Sequence, residues 1–200
     1  YGMGFTKAYF DTSLIQAGIF AGEVSGANNL IENITITNSE VLGNSIPGAG
    51  GLVGQVEADS DLVVRNIKAT NFTVLNKRKR AGGLISRVQS GTGTITVEDI
   101  DFQGNVACGS TAASNTGGIF GTFRNSTGTI SRAVVDYAAE GSVTLADDTI
   151  TYKSTKYVGG FIGNNNASTI MTINDSFYTG ELYNVLNNVG SVLGRRKASI

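Results

Sequence analysis

The segment GGLVG at residues 50–54 returns as GGLIS (82–86), GGIFG (117–121), GGFIG (159–163) and GSVLG (190–194), with AGIFA (17–21) ahead of it. Counted at the second residue of each, Gly18, Gly51, Gly83, Gly118, Gly160 and Ser191 lie 33, 32, 35, 42 and 31 residues apart. A unit of ~33 residues without helical periodicity cannot enclose a core alone, so the repeat restricts the chain to architectures whose units stack.

A second similar segment follows each glycine motif: LIENITITNSEVL, LVVRNIKATNFTVL, ITVEDIDFQGNV, ISRAVVDYAAEGSV and IMTINDSFYTGEL. Apolar residues alternate with polar ones there, as Val97, Ile100 and Phe102 do with Glu98, Asp99 and Asp101, which predicts strands with one buried face. The 42-residue interval is expected to hold its excess in ADDTITYKSTKY (146–157). The predicted fold is all-β: a right-handed parallel β-solenoid (β-helix) of about five three-stranded rungs of ~33 residues. One domain, residues 1–200, has rungs starting near 17, 50, 82, 117 and 159 and a partial rung from 190.

The pattern GG-[LIF]-[VIF]-G, then a strand, then I-x-N-x-x-x-x-[GN]-x-V, resembles the GLUG-motif repeat of bacterial surface proteins. The second rung (Gly50 to Gly54, then Asn66, Ile67, Asn71, Val74) and the fifth (Gly159 to Gly163, then Ile173, Gly180, Leu182) carry it best, and it extends over about residues 17 to 194. Where that family often has Cys after the Asn or Asp, this chain has Ile34, Ile67, Ile100 and Ser176. The resemblance implies a β-solenoid with a surface role and brings no catalytic residue.

Strand parity places Ile19, Leu52, Leu84, Ile119, Phe161 and Val192 inward. The adjacent ladder, Phe20, Val53, Ile85, Phe120, Ile162 and Leu193, then points outward as an apolar stripe, covered by another protomer or by a loop. The other arrangement is that the glycines turn a corner between the two positions and bury both. Neither end of the sequence reads as a polar capping rung. Residues 1–60 hold one basic and six acidic residues, net −5, and residues 61–200 hold 14 basic and 10 acidic, net +4, giving the overall −1. An acidic leading end and a basic trailing end (Arg195, Arg196, Lys197) fit head-to-tail stacking of copies, a contact that does not close. The alternative is a segment of a longer protein.

Chemistry is restricted by what is absent. Without His there is no imidazole for nucleophile activation or zinc ligation, and Cys108 is alone, reading as a small buried hydrophobe. No metal or cofactor site and no catalytic residue is expected. The carboxylates Glu98, Asp99 and Asp101, and Asp147 with Asp148, recur on no adjacent rung with a cation placed for an oxyanion. The run Lys77-Arg78-Lys79-Arg80 has no interleaved aromatics, reads as a solvated loop with glycan contact as the alternative, and does not indicate nucleic acid. Sequons at Asn33, Asn71, Asn125, Asn166 and Asn174 are candidate glycosylation sites, although stacked Asn and Thr also suit hydrogen-bond ladders along the rungs. No apolar run reaches the ~18 residues of a membrane span. The expected function is an extracellular structural protein, a filament subunit or a stalk or adhesin segment, with copies of itself and surface glycans as partners. A carbohydrate-binding or carbohydrate-cleaving β-helix is the alternative.

Overall fold

The computed structural model describes residues 3–5, 11–12, 16–44, 48–109, 114–124, 127–145, 148–154, 156–165, 169–182 and 187–196. Among them there is no helix. A long sheet is built from Met3–Phe5, Asn29–Gly43, Leu62–Asn76, Thr94–Cys108, Thr127–Ala138 and Ile170–Asn174, in that spatial order. Two short sheets of six strands follow the same order of turns. One contains Gly48–Gly50, Arg80–Gly82 and Asn115–Gly117; the other contains Val53–Val56, Ile85–Val88 and Phe120–Phe123. Within all three sheets each strand pairs in parallel with its equivalents one turn before and after, as Ile34 with Ile67, Ile67 with Ile100 and Ile100 with Ala133. The fold is therefore a parallel β-solenoid of about five turns.

The glycine motif makes the corner between the two short sheets. A Cβ at Gly50 would lie 1.9 Å from the Val53 carbonyl oxygen, and one at Gly51 would lie 2.0 Å from that of Gly83 on the next turn. At Gly54 it would lie 2.6 Å from the Gly22 carbonyl on the preceding turn. Each glycine thus answers a separate backbone approach. The third turn has Ser86 where the others have glycine, and its hydroxyl occupies space left by Gly48, whose Cβ would sit 1.9 Å from it.

Two successive amides at the corner donate to one carbonyl of the next turn: Leu52 and Val53 to Leu84 (2.9 and 3.0 Å), then Leu84 and Ile85 to Ile119 (3.2 and 2.9 Å). The chain bends there, so strict alternation fails and both neighbours are buried. Of the two arrangements the sequence left open, the structure has the corner. Val53, Ile85, Phe120 and Ile162 lie in the core beside Leu52, Leu84, Ile119 and Phe161, and the outward stripe is corrected accordingly. In the first turn the register also differs by one residue. Ala21 pairs with Val53 and Ala17 with Ala49, so Phe20 falls in the Leu52 column and is exposed. Leu193 is half-buried in the Val53 column, and Val192 is exposed.

The long strands are kinked rather than continuous. Asn33, Asn66, Asp99, Arg132 and Asp175 all have left-handed backbone conformations, with φ of 58°, 52°, 55°, 51° and 46°. Each resets strand parity, which is why Ile31 and Ile34, or Val97 and Ile100, are both buried although three positions apart. Asn and Asp tolerate this conformation because their short polar side chains bond locally. Asn38 and Asn71 make a second such kink in two turns.

The long interval between the fourth and fifth motifs is an antiparallel hairpin, Glu140–Leu145 with Asp148–Lys153, beginning earlier than the sequence suggested. Its Tyr152 packs on Leu42, Leu75 and Ala107, an apolar column on the outer side of the long sheet. The insertion thereby shields hydrophobic surface that three turns leave outside the main core.

Candidate functional site

Two polar surfaces run along the solenoid. The first is the kink column. The Asn66 side-chain amide donates to Asn33 Oδ1 (2.5 Å), and that of Asn71 donates to Asn38 Oδ1 (2.8 Å). One turn further the same column becomes ionic: Arg132 Nε donates to Asp99 Oδ1 (2.6 Å) and its Nη2 to Glu98 Oε2 (2.9 Å). Beside it, Arg65 Nε meets Glu32 Oε2 at 2.7 Å. Sequence reading noticed these carboxylates and asparagines but not that one backbone kink stacks them. The signal was the polar residue before Ile34, Ile67, Ile100 and Ala133 in every turn, with Arg132 the unexpected member because an arginine gains nothing local from a left-handed backbone.

The Arg132 guanidinium, by hydrogen bond first and charge second, holds the Asp99 carboxyl below the usual carboxylate range. A lowered native value means that the contribution to stability is complete above the ordinary aspartate pKa and vanishes as pH falls through the lowered one. The melting temperature should therefore fall as pH drops below the ordinary aspartate range, and Asp99→Asn should flatten part of that fall. Identical pH profiles for the two proteins would show that the pair carries no folding linkage.

Of the candidate glycosylation sites, Asn33 and Asn71 are exposed but belong to the ladder, and the Asn71 amide nitrogen is engaged by Asn38. Asn174 is exposed at the end of a strand, and its carbonyl accepts the Ser176 hydroxyl (2.7 Å). Asn125 and Asn166 lie outside the described residues.

The second, largely buried, is the mouth between the two short sheets, where Gln55, Asn115 and Thr122 are out of the solvent's reach or nearly so. Their facing positions are seven residues apart: Gln16 donates to Glu23 (3.4 Å) and Asn115 to the Thr122 hydroxyl (3.0 Å). The equivalent pair on the third turn is Arg80 and Arg87, placed by the register of Arg80 with Asn115 and of Arg87 with Thr122. Along the mouth, Glu23, Gln55, Arg87, Thr122, Asn164 and Arg195 form one column. Arg195 lies over the Tyr157 ring at 4.6 Å, and so turns back onto its own solenoid. Arg196 ends the same strand, and Lys197 lies outside the described residues.

The basic run is split by this geometry. Lys77, Arg78 and Lys79 are exposed in a bend, whereas Arg80 opens a strand and is buried, a correction to its reading as wholly solvated. Burial first, and Arg87 and Arg124 next, push the Arg80 guanidinium down to about 10. Burial and Arg124 likewise lower Arg87, against the opposing effect of Glu57. Cys108 is buried and its thiol is pushed up to about 12, chiefly by desolvation. Among the described residues no three His, Cys, Asp or Glu side chains gather as a metal site, and no helix is long and apolar enough to cross a membrane.

No known protein family, characterised protein or solved structure matches this chain.

Proposed function

We propose that this chain is a mechanical element of an extracellular surface: a stalk or adhesin segment, or the subunit of a head-to-tail filament. The observation that carries the reading is the continuity of three parallel sheets through the same turns, so that every turn is joined to the next on three sides. Backbone ladders of this kind share a load over many hydrogen bonds at once. The Asn33–Asn66 and Asp99–Arg132 contacts add side-chain ties between turns on the outer face. The resemblance to GLUG-motif repeats points the same way. A polysaccharide-cleaving role is less well served, because Arg132 engages both Glu98 and Asp99, the best carboxylate pair.

Single-molecule pulling of the purified chain tests the mechanical role: unfolding is expected at forces well above those of a helical bundle measured in the same instrument. Yielding at equal or lower force would overturn it. Negative-stain electron microscopy over a wide concentration range decides between the two forms. Filaments support the subunit, and monomers throughout leave the stalk or adhesin segment.

A further inference from the structure

A groove crosses the outer side of the long sheet at the foot of the hairpin. Its two halves, of about 330 and 360 Å3, meet at Ala138. The first half exists because the turns differ in length. Thr70 and Asn71 stand between Ala69 and Phe72 on the second turn, whereas Gln103 alone stands between their partners Phe102 and Gly104 on the third. The Asn38–Asn71 ladder therefore stops there and leaves a step. Gly104 keeps the step narrow, since a Cβ on it would lie 1.9 Å from the Phe72 carbonyl oxygen. The hairpin walls the second half with Glu140, Ser142 and Thr151 and passes so close to the sheet that a Cβ on Gly141 would lie 3.0 Å from that of Asn105.

The lining is polar, accessible and largely unspent. Asn71, Gln103, Asp136 and Glu181 line the first half, one from each of four successive turns. Gln103 and Glu181 are exposed, and Asp136 and Asn105 are half-exposed. Among the described residues, none of these last four side chains makes a hydrogen bond or an ion pair with the protein. Amides that donate and accept thus stand beside carboxylates that only accept, a mixture that matches hydroxyl groups. An anionic ligand would meet the unpaired charges of Asp136 and Glu181. An apolar anchor would find no seat, because Ala138 is the one aliphatic side chain among the described lining residues, and Tyr137 turns its ring inward with its hydroxyl on the Gly159 carbonyl (2.8 Å). Each turn rises ~4.8 Å, close to the advance of one sugar unit in a linear chain.

We propose that this groove binds a neutral oligosaccharide, which lies along the solenoid axis in the first half and ends against the hairpin. Asp136 and Glu181 accept from its hydroxyls, and Gln103 and Asn105 both donate and accept. The site is a binding property and does not depend on the mechanical role proposed above.

The test titrates the full chain calorimetrically with linear β-1,4-linked hexasaccharides of glucose, mannose and N-acetylglucosamine, and with a galacturonate hexamer and spermidine as charged counterparts. At least one neutral hexasaccharide should bind, with an affinity that added salt leaves unchanged. D136A should weaken that binding by about 10–100-fold and Q103A by about 3–10-fold, the usual worth of hydrogen bonds to charged and neutral partners. A138W, which fills the junction of the two halves, should abolish it with the circular dichroism spectrum unchanged. If A138W does not fold, E181A takes its place, with a loss like that of D136A. Four results would overturn the assignment: no neutral hexasaccharide bound; unchanged affinity in D136A and Q103A; equal binding of the galacturonate hexamer; or binding of spermidine alone, lost with salt, which would make the groove a cation site.

Discussion

Gly83→Ala should lose about 3 kcal/mol of stability or more, from the addition of one methyl group to a residue with no unusual φ. The new Cβ would sit 2.0 Å from the Gly118 carbonyl oxygen and 2.9 Å from its carbon, with the Phe102 ring at 3.0 Å on another side. The ring can turn slightly, but the carbonyl cannot. It belongs to the next turn, whose position is set by the Leu84 and Ile85 amides donating to Ile119. Relief therefore requires separating two turns at the centre of the solenoid, where both neighbours depend on the contact. Gly26→Ala is the control: nothing lies within 4 Å of its Cβ, and only its φ of +83° opposes the substitution. That change should cost about 1 kcal/mol. Urea denaturation followed by circular dichroism measures both, and equal losses would mean that the neighbouring turn yields to the added methyl and that close approach does not dictate glycine at the corner.

The second large effect is expected at Phe120→Ala, with a loss of about 3–5 kcal/mol in the same measurement. Phe120 is fully buried, and its ring meets that of Phe123 edge to face, with centroids 5.0 Å apart. Truncation leaves a cavity bounded by backbone that the next turns hold in register, so collapse around it is limited. A residue on an outward stripe would lose less than about 0.5 kcal/mol. Exposed Phe177→Ala provides that comparison within one protein. A small effect at Phe120 would return it to the surface and undo the two-sided corner.

The stacking of units and the approximate boundaries of each turn were legible because a repeated motif reports its own period, whatever its geometry. Parity within a turn was not. Assigning Ile19 to the Leu52 column missed a one-residue difference of register in the first turn. Pointing Phe120 outward assumed an extended chain through GGIFG, whereas two amides there share one carbonyl. The same assumption hid the kinks at Asn33, Asn66 and Asp99, where buried Ile31 and Ile34 are three positions apart. Arg132 could not have been found this way, since its residue type argues against a left-handed backbone and only the carboxylates of the preceding turn make sense of it.

What the sequence alone determined is the ladder: five like intervals, apolar at matching positions, require turns that lie on one another and pair in parallel. Only the tertiary structure decided which side of each turn meets water, because that depends on where the backbone bends, and a bend is set by contacts with the neighbouring turns. The arginines show the difference most plainly. Arg80 was one member of a charged run until a corner and a register placed it opposite Arg87 and within reach of Arg124, residues 7 and 44 positions further along the chain.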